Sequence, residues 1–153
     1  MPSYKKILFP TDYSRSSVTA FEVACGLARD YRAEMVVCHV APPPIPAVAD
    51  GMVFDIPTGE EKWMTEKLKA VRPTESGIRV THRPVRGEAA REILGVAEAC
   101  RADLIVMGTH GRTGLSRLLL GSVAEAVLRS AKCPVVTVRS FPPEEAEVET
   151  KGN

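Results

Sequence analysis

Five short apolar runs alternate with four amphipathic helical patterns along the chain, and this alternation predicts an α/β fold: a doubly wound, five-stranded parallel sheet of order 3-2-1-4-5 with helices on both faces. Two further observations support it. The central runs, such as Met35-Val36-Val37-Cys38 and Leu104-Ile105-Val106-Met107, are continuously apolar rather than alternating, as strands covered on both faces must be. Prolines bound the runs at Pro10 and Pro134 instead of interrupting them.

The first strand runs from Tyr4 to Pro10 through Ile7-Leu8-Phe9 and ends at Pro10-Thr11-Asp12. Ser14, Ser16 and Ser17 offer capping oxygens to a helix reaching about Tyr31, whose apolar face is expected at Val18, Phe21, Cys25 and Ala28. Glu34 to Val40 forms the second strand. Ala41 to Pro57 carries five prolines around Asp50-Gly51 without periodicity, and reads as an irregular loop, either a flap beside a ligand or a plain connector.

Thr58-Gly59-Glu60-Glu61 has a capping-box pattern and opens a short helix to about Val71, with Trp63, Met64 and Leu68 as its apolar side. Ile78 to Val85 alternates and contains Pro84, so it reads as an edge strand. Gly87 turns the chain into a helix from Glu88 to Cys100, with Ile93, Val96, Ala97 and Cys100 on one face. Asp103 to Met107 is the fourth strand. Val123, Ala124, Val127, Leu128 and Ala131 mark a last helix ending near Ser130, and Val135-Val136-Thr137-Val138 is the fifth strand. Residues 1–140 are thus expected to form one domain, and the acidic segment 141–153 a mobile tail.

Composition narrows the function. A net charge of +1 in 153 residues and 5% aromatic residues leave neither a basic footprint nor stacking platforms for nucleic acid. Met1 to Lys6 lead into a strand rather than a signal peptide, and no run approaches the roughly 20 apolar residues of a membrane span. Cys25, Cys38, Cys100 and Cys133 lie in apolar contexts without zinc spacing, which suits buried thiols in a reducing cytoplasm and leaves a redox-active thiol as the alternative.

The chemistry concentrates between Gly108 and Val123. A glycine-rich loop between a strand and a helix lets backbone approach an anion, and the helix N-terminus complements its charge. Arg112 and Arg117 lie in this loop, and no acid stands between Asp103 and Glu125. In the expected strand order the loop faces Pro10-Thr11-Asp12 across the crevice where the winding reverses. Asp12 can accept hydrogen bonds from ribose hydroxyls there, or can simply form an Asx turn or helix cap. The loop has no Walker lysine, and Gly108, Gly111 and Gly114 do not match the dinucleotide fingerprint.

Gly108, Gly111, Gly121 and Ser122 do reproduce the spacing G-x2-G-x9-G-[ST], which resembles the ATP-binding members of the universal stress protein family. The resemblance extends to Lys5-Lys6-Ile7-Leu8-Phe9-Pro10-Thr11-Asp12-Tyr13-Ser14, to His39-Val40, to Asp103 through Arg112 and to Cys133-Pro134-Val135, covering Tyr4 to Arg139. It implies a cytoplasmic, ATP-binding stress-response protein acting as a nucleotide-dependent dimeric regulator. Asp12 would lie at the ribose and the Val40 backbone at the adenine edge. Gly108, Gly111 and Arg112 would shape the triphosphate side, and Gly121, Ser122 and Val123 would present donors to phosphates. Pro10, Thr11, Met107 and His110 complete the expected nucleotide-binding set. Dimerisation would pair Val135, Val136, Thr137 and Val138 with their copies in a second chain. Magnesium is compatible with such a site as a companion of the phosphates, but no protein ligand for it can be named.

His110 is read as a structural or hydrogen-bonding residue beside the phosphates, since no paired carboxylate accompanies it. The alternative function is a slow ATPase or nucleotidyl-transfer enzyme working through His110 in the same site. A scaffold whose site stays empty is a third.

Overall fold

A computed structural model describes residues 3–43, 46–54, 60–110 and 120–140. The chain runs β1 (Lys6–Pro10), α1 (Arg15–Tyr31), β2 (Glu34–Ala41), β3 (Ala47–Ala49), β4 (Met52–Phe54), α2 (Glu60–Ala70), β5 (Val80–Arg86), α3 (Ala89–Cys100), β6 (Leu104–Gly108), α4 (Ser122–Ser130) and β7 (Val135–Val138). The main sheet has five strands, all parallel to their neighbours, in the order β5-β2-β1-β6-β7. This is the 3-2-1-4-5 order expected from the sequence, with β5 and its Pro84 at one edge and β7 at the other.

Period-two alternation divides the strands between two cores. Ile7, Phe9, Met35, Val37, Leu104 and Val106 pack beneath α1 and Leu68 of α2. Leu8, Val36, Cys38, Ile105 and Met107 pack beneath α3 and α4. Both faces of the central strands are therefore sealed.

In three helices one residue of the expected apolar face points away from the core. In α1 the buried stripe is Ser16, Ser17, Ala20, Ala24 and Ala28, while Val18 is 57% exposed and Phe21 and Cys25 flank the core. Small residues are needed there because α1 lies almost against β6: a Cβ on Gly108 would come within 2.6 Å of Ser16 Oγ and 2.9 Å of the Ser16 carbonyl carbon. In α2, Met64 and Leu68 are buried but Trp63 is 59% exposed, its ring covered by the Lys67 ammonium at 4.6 Å. In α4, Ala124 and Val127 face inward and Leu128 is 41% exposed. Periodicity counts apolar residues, whereas a helix pressed onto a sheet selects for size.

The proline-rich segment is not wholly irregular. β3 and β4 form an antiparallel hairpin closed by Asp50 and Gly51, with φ of 51° and 74°. Two consecutive left-handed residues make the tight turn for which Asp-Gly is suited, a signal that outweighs the missing periodicity. Thr58 and Gly59 of the capping box, Gly111, Arg112 and Arg117 of the glycine-rich loop, and the acidic tail all lie outside the described residues. Among those described, no helix is long and apolar enough to cross a membrane.

Candidate functional site

The crevice forms where the sheet reverses its winding. β1 leads through α1 to β2 on one side, while β6, on the other flank of β1, leads to β7. Between their carboxyl ends lies a cavity of about 200 Å³. Pro10, Thr11, Asp12, Val40, Met107, Gly108, His110, Gly121, Ser122 and Val123 all line it. Ten of the twelve expected site residues are thus brought to one place, and Gly111 and Arg112 lie outside the described residues. Ser17, Ala89, Ile93, Thr109 and Ala124 also line the cavity, although none was expected as a site residue. Helical periodicity placed Ile93 on an inward face, but only the topology sets that face above this crevice.

The Asp12 side is a tightly bonded turn. Asp12 Oδ1 accepts the Ser14 N–H at 2.9 Å, so the Asx turn is real, and the same residue lines the cavity. Thr11 is fixed on every side: its N–H donates to the Cys38 carbonyl at 2.8 Å, its hydroxyl meets Ser17 Oγ at 2.7 Å, and its carbonyl lies 2.8 Å from His39 Nδ1. A carbonyl can only accept, so His39 carries a proton on Nδ1. Ser14 then caps α1, its Oγ accepting the Ser17 N–H at 3.2 Å.

The α4 side is open. Gly121 is the N-cap, with extended backbone and no side-chain cap. Its own N–H is consumed by the Thr109 carbonyl at 2.7 Å, and a Cβ there would sit 2.7 Å from the same oxygen. The resemblance implies a donor at Gly121; here its N–H is engaged within the chain and its missing Cβ permits the close approach. The N–H groups of Ser122, Val123 and Ala124, the orphan donors of the first turn, have no acceptor among the described residues, and all three residues line the cavity. Donors and dipole together make this end of the cavity attractive to an anion.

His110 contributes a ring held from within. Its Nδ1 lies 2.8 Å from Thr109 Oγ1, and its buried Nε2 has no partner among the described residues. His39 does not line the cavity, and His82 is occupied elsewhere, 2.9 Å from the Val71 carbonyl. Among the described residues no group of three His, Cys, Asp or Glu side chains could hold a metal.

The four cysteines are free thiols and none lines the cavity. Burial pushes the Cys38 thiol up to about 12, and burial with Glu75 and Glu22 nearby pushes Cys25 to about 11. Burial also raises Cys100 and Cys133. Protonated thiols are poor nucleophiles; of the four thiols expected to be buried, Cys38 is buried and Cys25, Cys100 and Cys133 are half-buried.

Comparison with known proteins agrees with this architecture. The profile of the universal stress protein family matches residues 3–139. A universal stress protein of Methanocaldococcus jannaschii is 39% identical, the match covering 89% of this chain and 82% of the relative. The universal stress protein YxiE of Bacillus subtilis is 32% identical over 89% of this chain and 99% of its own. Among solved structures, a member of the family from Burkholderia pseudomallei superposes with a TM-score of 0.67 at 29% identity, covering 92% of this chain and 99% of that one. A universal stress protein crystallised in complex with cAMP superposes with a TM-score of 0.63 at 26% identity, covering 90% and 98%. With the sheet order, the crevice and these matches in agreement, the chain belongs to the universal stress protein family.

Proposed function

We propose that this protein is a cytoplasmic, ATP-binding stress-response protein that acts as a nucleotide-dependent homodimeric regulator. The observation that carries the reading is the uncapped α4 N-terminus opening into the same cavity as Asp12. Phosphates would accept hydrogen bonds from the Ser122, Val123 and Ala124 N–H groups and the Ser122 hydroxyl. Asp12, with Oδ1 engaged by Ser14, would accept from ribose hydroxyls through Oδ2. Val40, Ile93 and Met107 supply apolar lining suited to a purine. Gly111 and Arg112 belong to the proposed triphosphate side, where magnesium could accompany the phosphates. The relative crystallised with cAMP supports an adenine nucleotide as the ligand class.

The proposed dimer uses β7. Its residues Val135, Val136, Thr137 and Val138 form a half-buried, apolar edge that a second copy can cover by strand pairing. Among the described residues, His110 Nδ1 is engaged by Thr109 Oγ1 and its buried Nε2 meets no partner, so no contact there favours hydrolysis through His110.

Titration calorimetry with ATP, ADP, cAMP and GTP tests the ligand. Saturable binding of adenine nucleotides with weaker GTP binding is expected, and no heat at millimolar ATP would defeat the proposal. Light scattering of the wild type and of Thr137→Pro tests the edge, the variant being expected to run as a monomer.

A further inference from the structure

Among the described residues, four non-glycine residues have positive φ: Tyr13, Arg32, Asp50 and Arg101. Three are accounted for. Arg32 and Arg101 are the left-handed C-caps of α1 and α3, and Asp50 closes the hairpin. Tyr13, at φ 63°, ends no helix and closes no hairpin, and a bulky aromatic is among the residues least suited to that region.

The consequence of this conformation is the Asp12 turn. With Tyr13 left-handed, its N–H reaches Thr11 Oγ1 at 3.1 Å and the Ser14 N–H reaches Asp12 Oδ1 at 2.9 Å. The ring is held from outside the turn. His39, at the end of β2, lies against it with ring centroids 4.6 Å apart, and the Lys67 ammonium of α2 stands 4.1 Å from its centroid. Lys67 also faces Trp63 at 4.6 Å, and His39 holds the Thr11 carbonyl. Two elements that contribute neither β1 nor α1 therefore grip one strained residue beside the candidate ribose contact.

We infer that Tyr13 is a positioning residue, clamped between His39 and Lys67 so that its left-handed backbone presents the Asp12 carboxylate to a nucleoside ribose. This rests on the nucleotide reading above. The clamp offsets the backbone cost, so removing the ring while keeping a Cβ leaves the cost without its compensation. Glycine removes both.

The test compares Tyr13→Phe, Tyr13→Gly and Tyr13→Ala with the wild type by two measurements. Hydrogen exchange of the Ser14 amide without nucleotide reads the turn, and ATP calorimetry reads the ligand. Tyr13→Phe is expected to bind ATP within about twofold of wild type, Tyr13→Gly about threefold more weakly, and Tyr13→Ala about tenfold or more weakly, with amide protection in the same order. Lys67→Met should weaken binding about threefold in the wild type and have no effect in the Tyr13→Gly background, because the ring it rests on is gone. A residue that merely filled space would give glycine no advantage over alanine. Tyr13→Ala equal to or better than Tyr13→Gly in both measurements, or an undiminished Lys67→Met effect in the glycine background, overturns the inference. Amide protection in the expected order with no ATP binding by any variant overturns the nucleotide reading and the ligand half of this inference with it.

Discussion

Two helices on the same face of the sheet begin near the same crevice and treat their N-termini in opposite ways. At α3, Glu88 folds back over the helix end, its carboxylate accepting the Ala90 N–H at 3.0 Å and the Arg91 N–H at 2.8 Å. At α4, Gly121 has no side chain to do the same, and the donors of the first turn face the cavity. An uncompensated helix end is an anion site whether the anion is internal or external. At α3 a carboxylate caps the helix end, whereas the first-turn acid of α4, Glu125, is paired with Arg129 one turn on.

The strongest way to break this contrast is to give α4 what α3 already has. Ser122 is exposed in the first turn, so Ser122→Asp adds a carboxylate at the mouth without disturbing the core. Repulsion between that charge and a phosphate a few ångströms away should weaken ATP binding about 100-fold in calorimetry, near 3 kcal/mol at an effective dielectric of about 20. Folding stability should hold or rise by about 0.5 kcal/mol, because an acid near a helix N-terminus is favourable. Undiminished ATP affinity in Ser122→Asp would show that the phosphates lie elsewhere.

Glycines separate the two helices next. Gly121 would place a Cβ 2.7 Å from the Thr109 carbonyl oxygen, whereas Gly95 inside α3 has nothing within 4 Å of the equivalent position. Gly121→Ala should therefore cost about 2 kcal/mol in urea unfolding and weaken ATP binding by displacing the α4 mouth. Gly95→Ala should instead stabilise by about 0.5–1 kcal/mol and leave binding unchanged. Equal effects of the two substitutions would mean that the close approach at Gly121 is unimportant.

The sequence carried the sheet order well because continuous apolar runs separated by helical periods admit few parallel topologies. It also carried most of the crevice lining, since Pro10-Thr11-Asp12 and Gly108 mark strand ends and Gly121-Ser122 a helix start, all read from sequence patterns. What it could not show is how close elements lie. The buried alanine stripe of α1 and the Gly108 contact with Ser16 are one fact, visible only when helix and strand are superimposed. Ile93 and Ala89 join the site because α3 crosses above it, a relation no local window contains. That the Gly121 N–H bonds the Thr109 carbonyl is likewise invisible in the motif. The left-handed Tyr13 left no mark in composition or period.

The converse experiment opens α3 instead of closing α4. Glu88→Ala removes both cap bonds and should cost about 1 kcal/mol, read as a fall of about 3 °C in Tm. Glu88→Gln keeps one acceptor oxygen without the charge and should cost about half as much. Neither variant should change ATP affinity by more than about twofold, and calorimetric stoichiometry should stay at one nucleotide per chain. An orphaned helix end is necessary for the α4 site but does not suffice. Ala89 and Ile93 of α3 share the cavity wall, but Ala90 and Arg91, whose N–H groups Glu88 holds, do not line it, so freeing the α3 donors creates a capping defect rather than a second site. A gain of a second nucleotide in Glu88→Ala would show that the helix end by itself selects the anion.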